Sequence, residues 1–382
     1  MMNKKNNKIK SDQQLNVIAR SPLFSGRRGN LLQIAPPKKR VRNDLVSLNS
    51  ILFTFITLLL FSTNAFAQSD QFSEISSMPG AFSRMGFGAR GMGMGNAMSA
   101  VLTGNKVAYY NPALSVYQEG NSFQTSYSVL SHDRNLNFLS FTRKFEFGKK
   151  NSEGEFIRKP RVAGLSAGII NASVDNFAQR DNQGNISGEL TPYENQFFVG
   201  LANQFSEKLT IGFTAKFYYS KLYEEIKTNT FGIDIGAIYR ASEQLTLAAT
   251  VVDLLSKYEW DTTPVYGQDG FTIDDEFPLL MRVGAAYKLE DPNLLVAVEF
   301  EHSDVGTNYL RFGLEYEIYQ SLFLRGGLDK FDISNSAVPS RPSLGFSYFQ
   351  DFSNLIVGIN YAFVMEPYSS YDQHIIGIDV NF

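Results

Sequence analysis

Three histidines, His132, His302 and His374, are the side chains best suited to move a proton near neutral pH, and they fall on distant segments of the chain. His302 is followed by Ser303 and Asp304, the residue types of a nucleophile, base and orienting acid. No G-x-S-x-G turn presents a nucleophile, and no H-E-x-x-H spacing holds zinc. Gly91, Gly93 and Gly95 superficially match a phosphate-cradling loop. That chemistry needs a preceding strand and a surrounding βαβ unit, and neither is legible. The acidic, aromatic stretches 256–278 and 364–372 lack the EF-hand pattern for calcium and read as solvated loops or as a lid or docking surface. With no cysteine anywhere, disulfides and thiolate metal sites are excluded. The chain therefore reads as a non-enzyme without cofactor or metal.

The charged residues carry a stronger pattern. In 279–289, Leu279, Met281, Val283, Ala285, Tyr287 and Leu289 share one strand face, and Arg282, Gly284, Ala286 and Lys288 share the other. In 308–317, Leu310, Phe312, Leu314 and Tyr316 oppose Arg311, Gly313, Glu315 and Glu317. Such period-two alternation marks strands with two different surroundings. Arg282, Glu299, Arg311, Glu315 and Arg325 are the principal charges opposite apolar rows, joined by Lys216, Asp234, Arg240, Lys288, Glu301, Glu317 and Asp379. Facing lipid, each would cost up to about 2–4 kcal/mol near the midplane. Facing a lumen, they can pair or meet water, either as structural ion pairs or as a polar permeation path.

Fourteen alternating segments of roughly ten residues, the length of a tilted membrane-crossing strand, are drawn near 121–130, 135–147, 162–174, 193–204, 209–223, 226–240, 245–253, 279–289, 294–302, 308–317, 321–328, 342–350, 354–364 and 372–382. With the N-terminus in the periplasm, the short connections fall on the periplasmic side and the long ones, 175–192, 254–278, 329–341 and 365–371, on the outer side. One connection, 148–161, is long and basic yet falls on the periplasmic side. No stretch after residue 67 is apolar for long enough to cross a bilayer as a helix, so a membrane location requires a closed barrel. The 32 Phe and 19 Tyr suit interface girdles.

The N-terminus reads as an export signal. Lys38, Lys39, Arg40 and Arg42 precede an apolar run from Ile51 to Phe61, and Ala65-Phe66-Ala67 offers a cleavage site before Gln68. Removing 1–67 takes away 11 of the 35 Lys and Arg and 2 of the 38 Asp and Glu, leaving a net charge of −12. That balance argues against nucleic acid as a partner.

Two features point to a family. The chain ends on an alternating strand, with Ile376, Ile378, Val380 and Phe382 on one face. This resembles the C-terminal assembly signal of bacterial outer-membrane proteins. Residues 80–118 are rich in Gly, Ala and Met, and the pattern of Gly88, Ala89, Arg90, Gly93, Met94, Gly95 and Ala97, followed by Tyr110, Asn111, Pro112 and Ala113, resembles the N-terminal region of the FadL-like outer-membrane proteins, closest to their PorV/PorQ branch. The resemblance implies an all-β transmembrane antiparallel barrel of about 14 strands over 121–382. It implies a periplasmic and hatch segment at 68–120, folded into the periplasmic mouth, with Gly88, Arg90, Gly93, Gly95, Asn111 and Pro112 as hatch residues and Phe382 as the assembly signal. It implies location in the outer membrane after cleavage near Ala67, with membrane lipid and the barrel-assembly machinery as partners. Two functions follow from it: passive uptake of a small hydrophobic solute, fatty-acid-like or aromatic, or a PorV/PorQ-like component of the type IX secretion system that binds protein cargo.

Overall fold

The computed structural model describes residues 73–149, 151, 156–181, 183–335 and 337–382. The expected export signal, its cleavage site near Ala67 and the first residues of the 68–120 segment lie outside the described residues.

Eighteen strands follow one another in the chain: β1 (Asn121–Val129), β2 (Arg134–Phe147), β3 (Arg161–Val174), β4 (Phe177–Arg180), β5 (Ile186–Leu190), β6 (Tyr193–Gln204), β7 (Leu209–Lys221), β8 (Lys227–Arg240), β9 (Leu245–Leu254), β10 (Lys257–Asp261), β11 (Thr272–Glu276), β12 (Leu280–Leu289), β13 (Leu294–Ser303), β14 (Asn308–Tyr319), β15 (Leu322–Asp332), β16 (Arg341–Asp351), β17 (Ile356–Val364) and β18 (Gln373–Asn381). Fourteen of them close one antiparallel barrel, with β1 paired to both β2 and β18. The closing seam runs from Ser122 opposite Asn381 to Val129 opposite His374. Phe382 extends it, its N–H donating to the Asn121 carbonyl at 3.1 Å.

These bounds match the fourteen alternating segments because each strand separates two media. Arg282 is buried while its neighbours Met281 and Val283 are 49% and 55% exposed. Ile376 and Ile378 likewise face outward on either side of buried Gly377. The remaining four strands form two hairpins, β4–β5 and β10–β11, inside long connections. Every residue of β11 is exposed, so no difference in surroundings writes a period into its sequence.

Connections alternate in length. One end carries the turns 205–208, 241–244, 290–293, 320–321 and 352–355, together with the long exception 148–160. The other end carries 175–192, 255–279, 333–340 and 365–372.

Residues 73–120 occupy the lumen as a plug. Its regular pieces are 3₁₀ turns at Glu74–Ser76, Ala81–Arg84 and Pro112–Tyr117 and one short helix, α1 (Gly88–Gly93). The expectation that this segment sits in one mouth is corrected. At the long-loop end, Ser73 Oγ lies 2.7 Å from Tyr309 Oη on β14. At the short-turn end, Tyr117 Oη lies 2.8 Å from Thr210 Oγ1 on β7. The plug therefore runs the length of the bore, because a bore of fourteen strands is too wide for inward side chains alone to fill.

Close contact comes from glycines on the wall. A methyl group on Gly212 would lie 2.6 Å from the Pro112 carbonyl carbon, and one on Gly313 would lie 2.6 Å from the Met94 carbonyl oxygen. Gly164, Gly236, Gly284 and Gly327 face Ser115, Asn111, Ser99 and Gly95 more tightly still. Backbone thus packs on wall along much of the circumference. Gly327→Ala is expected to lower the thermal midpoint of the folded barrel, since overpacking of this kind costs about 1–3 kcal/mol. An unchanged midpoint in a heat-modifiability gel would show that the plug can retreat from β15.

Candidate functional site

The plug organises itself around two residues. Asn111 is fully buried and caps the turn that Pro112 begins: its Oδ1 accepts the Ala113 N–H at 2.9 Å. Its Nδ2 donates to the Ser99 carbonyl at 3.0 Å and to the Ala237 carbonyl of β8 at 3.3 Å. Pro at the first helical position loses no hydrogen bond and fixes the chain direction. Asn96 holds the middle of the plug in a left-handed backbone conformation, φ 59°. Its Oδ1 accepts from Tyr110 Oη at 2.8 Å, and its Nδ2 donates to Asp329 Oδ2 at 3.0 Å.

The lumen charges form three buried groups, one of them Lys216 with Asp234 at 2.8 Å and Asp253 at 3.0 Å; the other two meet the plug. In the first of those two, Arg311 reaches Glu299 at 3.0 Å, Glu301 at 2.8 Å and Asp329 at 2.7 Å. Arg282 also pairs with Glu301. In the second, Glu315 holds Arg325 at 2.6 Å and Arg90 of the plug at 2.7 Å. The Arg90–Glu315 contact is bidentate, the strong geometry for this pair. Both groups grip the plug, since Glu299 also accepts the Ser99 N–H at 3.1 Å.

Above the Arg311 group, at the long-loop end, lies a cavity of about 580 Å³. Leu130, Leu136, Ala172 and Val174 of the wall and Phe82 and Met85 of the plug give one side an apolar strip, beside Arg134, Glu194 and Lys221. The other side carries Arg311, Lys330 and Arg341, with Glu301 and Glu366. Arg341 lies 3.6 Å from Asp329 and pairs with Glu366, yet its buried Nε has no hydrogen-bond partner. A bulge between Leu310 and Phe312 shifts the β14–β15 register and coincides with φ 53° at Lys330. Asp329 therefore enters the ion-pair group while the next residue, Lys330, lines the same lumen. Bulges re-aim side chains in this way. Lys330 has no ion-pair partner within 4 Å among the described residues. The cavity floor is the 75–84 coil, wound around Arg84, whose guanidinium donates to the carbonyls of Ile75, Met78 and Pro79 at 2.6–3.0 Å.

The sequence candidates distribute as follows. Arg282, Glu299 and Arg311 meet in one group, and Arg90, Glu315 and Arg325 in another. Gly88 and Gly93 bound α1, Gly95 packs against Leu328 and Phe312 backbone, and Phe382 lies on the outer surface at the seam. Sequence reasoning missed Asp329, Lys330 and Arg341 because all three fall in 329–341, drawn as an outer connection; the bulge hides the continuation of β15 through Asp329 and Lys330, and Arg341 opens β16. The histidines take no part: His302 faces outward against Asn308 at 2.8 Å, while Ser303 is buried and faces Thr307. Adjacent strand residues point to opposite faces, so His302 and Ser303 cannot act together. His374 meets Tyr361 on the outer surface, and His132 is exposed in a loop. Among the described residues no group of His, Asp and Glu has the geometry to hold a metal.

One buried cation lacks a carboxylate. Lys106 in the plug donates to the Gly104 carbonyl, and burial pushes its amine down to about 7.

These features define a plugged barrel with an amphipathic pocket at its long-loop end. No family model matches the chain, and no curated protein sequence matches it. Solved structures do. The toluene transporter TodX of Pseudomonas putida is 14% identical, with a TM-score of 0.50 over 77% of this chain and 96% of its own. A Pseudomonas aeruginosa FadL homologue is 11% identical, with a TM-score of 0.42 over 78% of this chain and 98% of its own. At such identities the likeness is one of fold, and the fold is FadL-like.

Two predictions follow from the buried charges. Glu315→Gln removes the carboxylate shared by Arg90 and Arg325, and breaking a buried pair from one side costs about 3–5 kcal/mol. It should lower the thermal midpoint and raise amide exchange across 88–99; unchanged exchange there would mean that Arg90 does not anchor the plug. For Lys106, the unfolded chain keeps the proton to pH near 10.5 and the folded chain only to about 7. Between these values the unfolded state binds more protons, so stability rises with pH. Thermal midpoints measured from pH 6 to 10 should climb through this window by the equivalent of a few kcal/mol, and Lys106→Met should flatten the climb.

Proposed function

We propose that the chain is an outer-membrane barrel for passive uptake of a small hydrophobic solute with an acidic head group, of the fatty-acid-like class. The carrying observation is the cavity of about 580 Å³ with an apolar strip facing a cluster of Arg311, Lys330 and Arg341. Its size lies within the usual range for small-molecule pockets. In this reading the long-loop end faces the medium and the short-turn end the periplasm. The apolar tail lies along Leu130, Leu136, Ala172 and Val174, and the head group meets Lys330 and the free Nε of Arg341. A cation without a protein partner at the edge of a pocket is available to a ligand at no cost to existing pairs. The outward apolar surface meets outer-membrane lipid, and Phe382 serves the assembly machinery. The toluene transporter of the same fold supports a hydrophobic-solute barrel as the context.

The path onward is closed by the plug, so uptake requires the plug to yield. No bond is made or broken in the solute.

A second reading, a PorV/PorQ-like secretion component, is favoured by one observation. The β10–β11 connection exposes Val265, Tyr266, Phe271 and Ile273 together at the long-loop end, and such patches fit a protein partner.

Binding to the full chain in lipid nanodiscs separates the readings. Lys330→Met is expected to weaken dodecanoate about tenfold, the scale of one charge-assisted contact, and to leave dodecanol unchanged. Binding of neither probe to the unaltered protein would sink the uptake reading. Stoichiometric recovery of exported proteins on the tagged barrel would then favour the secretion component.

A further inference from the structure

The plug is not held equally all the way round. On β3, β7, β14 and β15 plug backbone meets the wall glycines Gly164, Gly212, Gly313 and Gly327 at distances no Cβ could occupy, and on β6, β8 and β12 the side chains of Ala108, Asn111 and Ser99 do the same at Gly200, Gly236 and Gly284. On this arc the Ala108 N–H donates to Ser166 at 3.0 Å, Asn111 donates to Ala237, and Arg90, Asn96 and Ser99 are held by Glu315, Asp329 and Glu299. Toward β16, β17, β18 and β1 the contact is looser. A methyl on Gly88 would meet nothing nearer than Ser126 Oγ, at 3.5 Å. One on Gly93 would stand 3.5 Å from Ala362 and Gly345. Polar contacts on this face are few: Gln124 donates to the Lys106 carbonyl at 3.3 Å, and Asn105 lies beside Asp379.

One cavity lies along the looser face, and a second opens near its lower end against β12 to β16. The first, of about 20 Å³, runs between α1 and the wall and touches Gln124, Ser126, Asn360 and Asp379. The second, of about 220 Å³, opens at the short-turn end beside Thr103, Lys288 and Arg325. They share Arg90 and Asn105. At the upper end only Gly86 separates Met85, which lines the large pocket, from Phe87, which lines the small cavity. Phe87 is wedged among Phe138, Phe198 and Tyr109, with ring centroids 5.0–5.9 Å apart. Gln124 and Ser126 face the lumen but stay half-buried, whereas Thr214 and Ser166 on the other arc are fully buried.

We infer that the solute passes the plug between α1 and the β17–β18–β1 wall, with Phe87 as the upper constriction and Arg90 at the lower exit. This rests on the uptake reading and assigns its route. A cavity of 20 Å³ holds about one water, so the route is closed at rest. It needs the smallest displacement to open, because the opposite arc would have to break close glycine contacts, the Arg90–Glu315 ion pair and the hydrogen bonds of Asn96 and Ser99 to Asp329 and Glu299. Its lining of Ser126, Gln124, Asn360 and Asp379 can hydrogen-bond a polar head group in transit, and Arg90 meets that head group at the exit.

The chain contains no cysteine, so single cysteines report without background. Full-length S126C and T214C would be treated in proteoliposomes with a small methanethiosulfonate reagent, and dodecanoate uptake measured before and after. S126C is expected to react at least tenfold faster than T214C, and its modification should abolish uptake. Equal labelling rates, or a fully modified S126C that still transports, would overturn the route. If the unmodified protein neither binds nor transports dodecanoate, the uptake reading falls and the route with it. Binding without transport loss on modification sinks the route and spares the pocket.

Discussion

A fourteen-stranded barrel encloses more space than its own inward side chains can fill, and every other feature of this protein answers to that fact. Something must occupy the bore or water will. Here a segment of nearly fifty residues does so, and it must bring its polar backbone into a dry interior where each unpaired group is costly. Short 3₁₀ turns and one helix of six residues satisfy some of those groups locally. The wall satisfies others, by Ser166 to Ala108, Glu299 to Ser99 and the Ala237 carbonyl to Asn111. Glycines on the wall let backbone approach backbone, and glycines in the plug let the chain turn sharply between wall contacts.

The charges obey the same constraint. A carboxylate in the bore is tolerable only when paired and hydrogen-bonded, so the lumen residues come in groups rather than singly. Glu315 serves two arginines, one from the wall and one from the plug; Arg311 serves three carboxylates. Such sharing ties the position of the plug to wall pairs. It also leaves an exception that matters. Where the β14–β15 register slips, Lys330 has no ion-pair partner among the described residues, and it borders the cavity of about 580 Å³. The basic side of the pocket is what remains after the lattice has satisfied itself.

Most of the barrel was legible because a strand between lipid and lumen must alternate. Arg282 between Met281 and Val283, and Asp379 between Ile378 and Val380, announce both the strand and its inward face. The hatch was legible through Gly88 to Ala97 and through Asn111-Pro112, where small residues and a capping turn leave compositional marks. What stayed hidden lacked any such mark. The hairpin β4–β5 and strand β11 are exposed on nearly every residue, and β10 buries only Tyr258 and part of Trp260, too short a run to record a period. Asp329 and Lys330 are adjacent, and alternation would send them to opposite faces; a one-residue bulge brings both inward. The depth of the plug was also hidden, since Ser73 meeting Tyr309 across 236 positions follows from the bore and not from local sequence.

The asymmetry of plug packing joins these points into a mechanism. A plug gripped uniformly would have to leave as a body, breaking the Arg90–Glu315 and Asn96–Asp329 contacts together, a barrier far above what binding a small amphiphile supplies. A plug gripped tightly on one arc and less tightly over the other need only flex. At Gly88 and Gly93 an added methyl would meet its neighbours at ordinary contact distance, whereas at Gly212 and Gly327 it would collide with backbone. The arc that carries Ser126 and Asn360 is therefore the cheaper one to open, and a polar lining there keeps the opened gap wetted and the solute's head group hydrogen-bonded until it reaches Arg90. Retention of the plug and passage of the solute then meet at Arg90, which Glu315 holds on one side and the gap borders on the other.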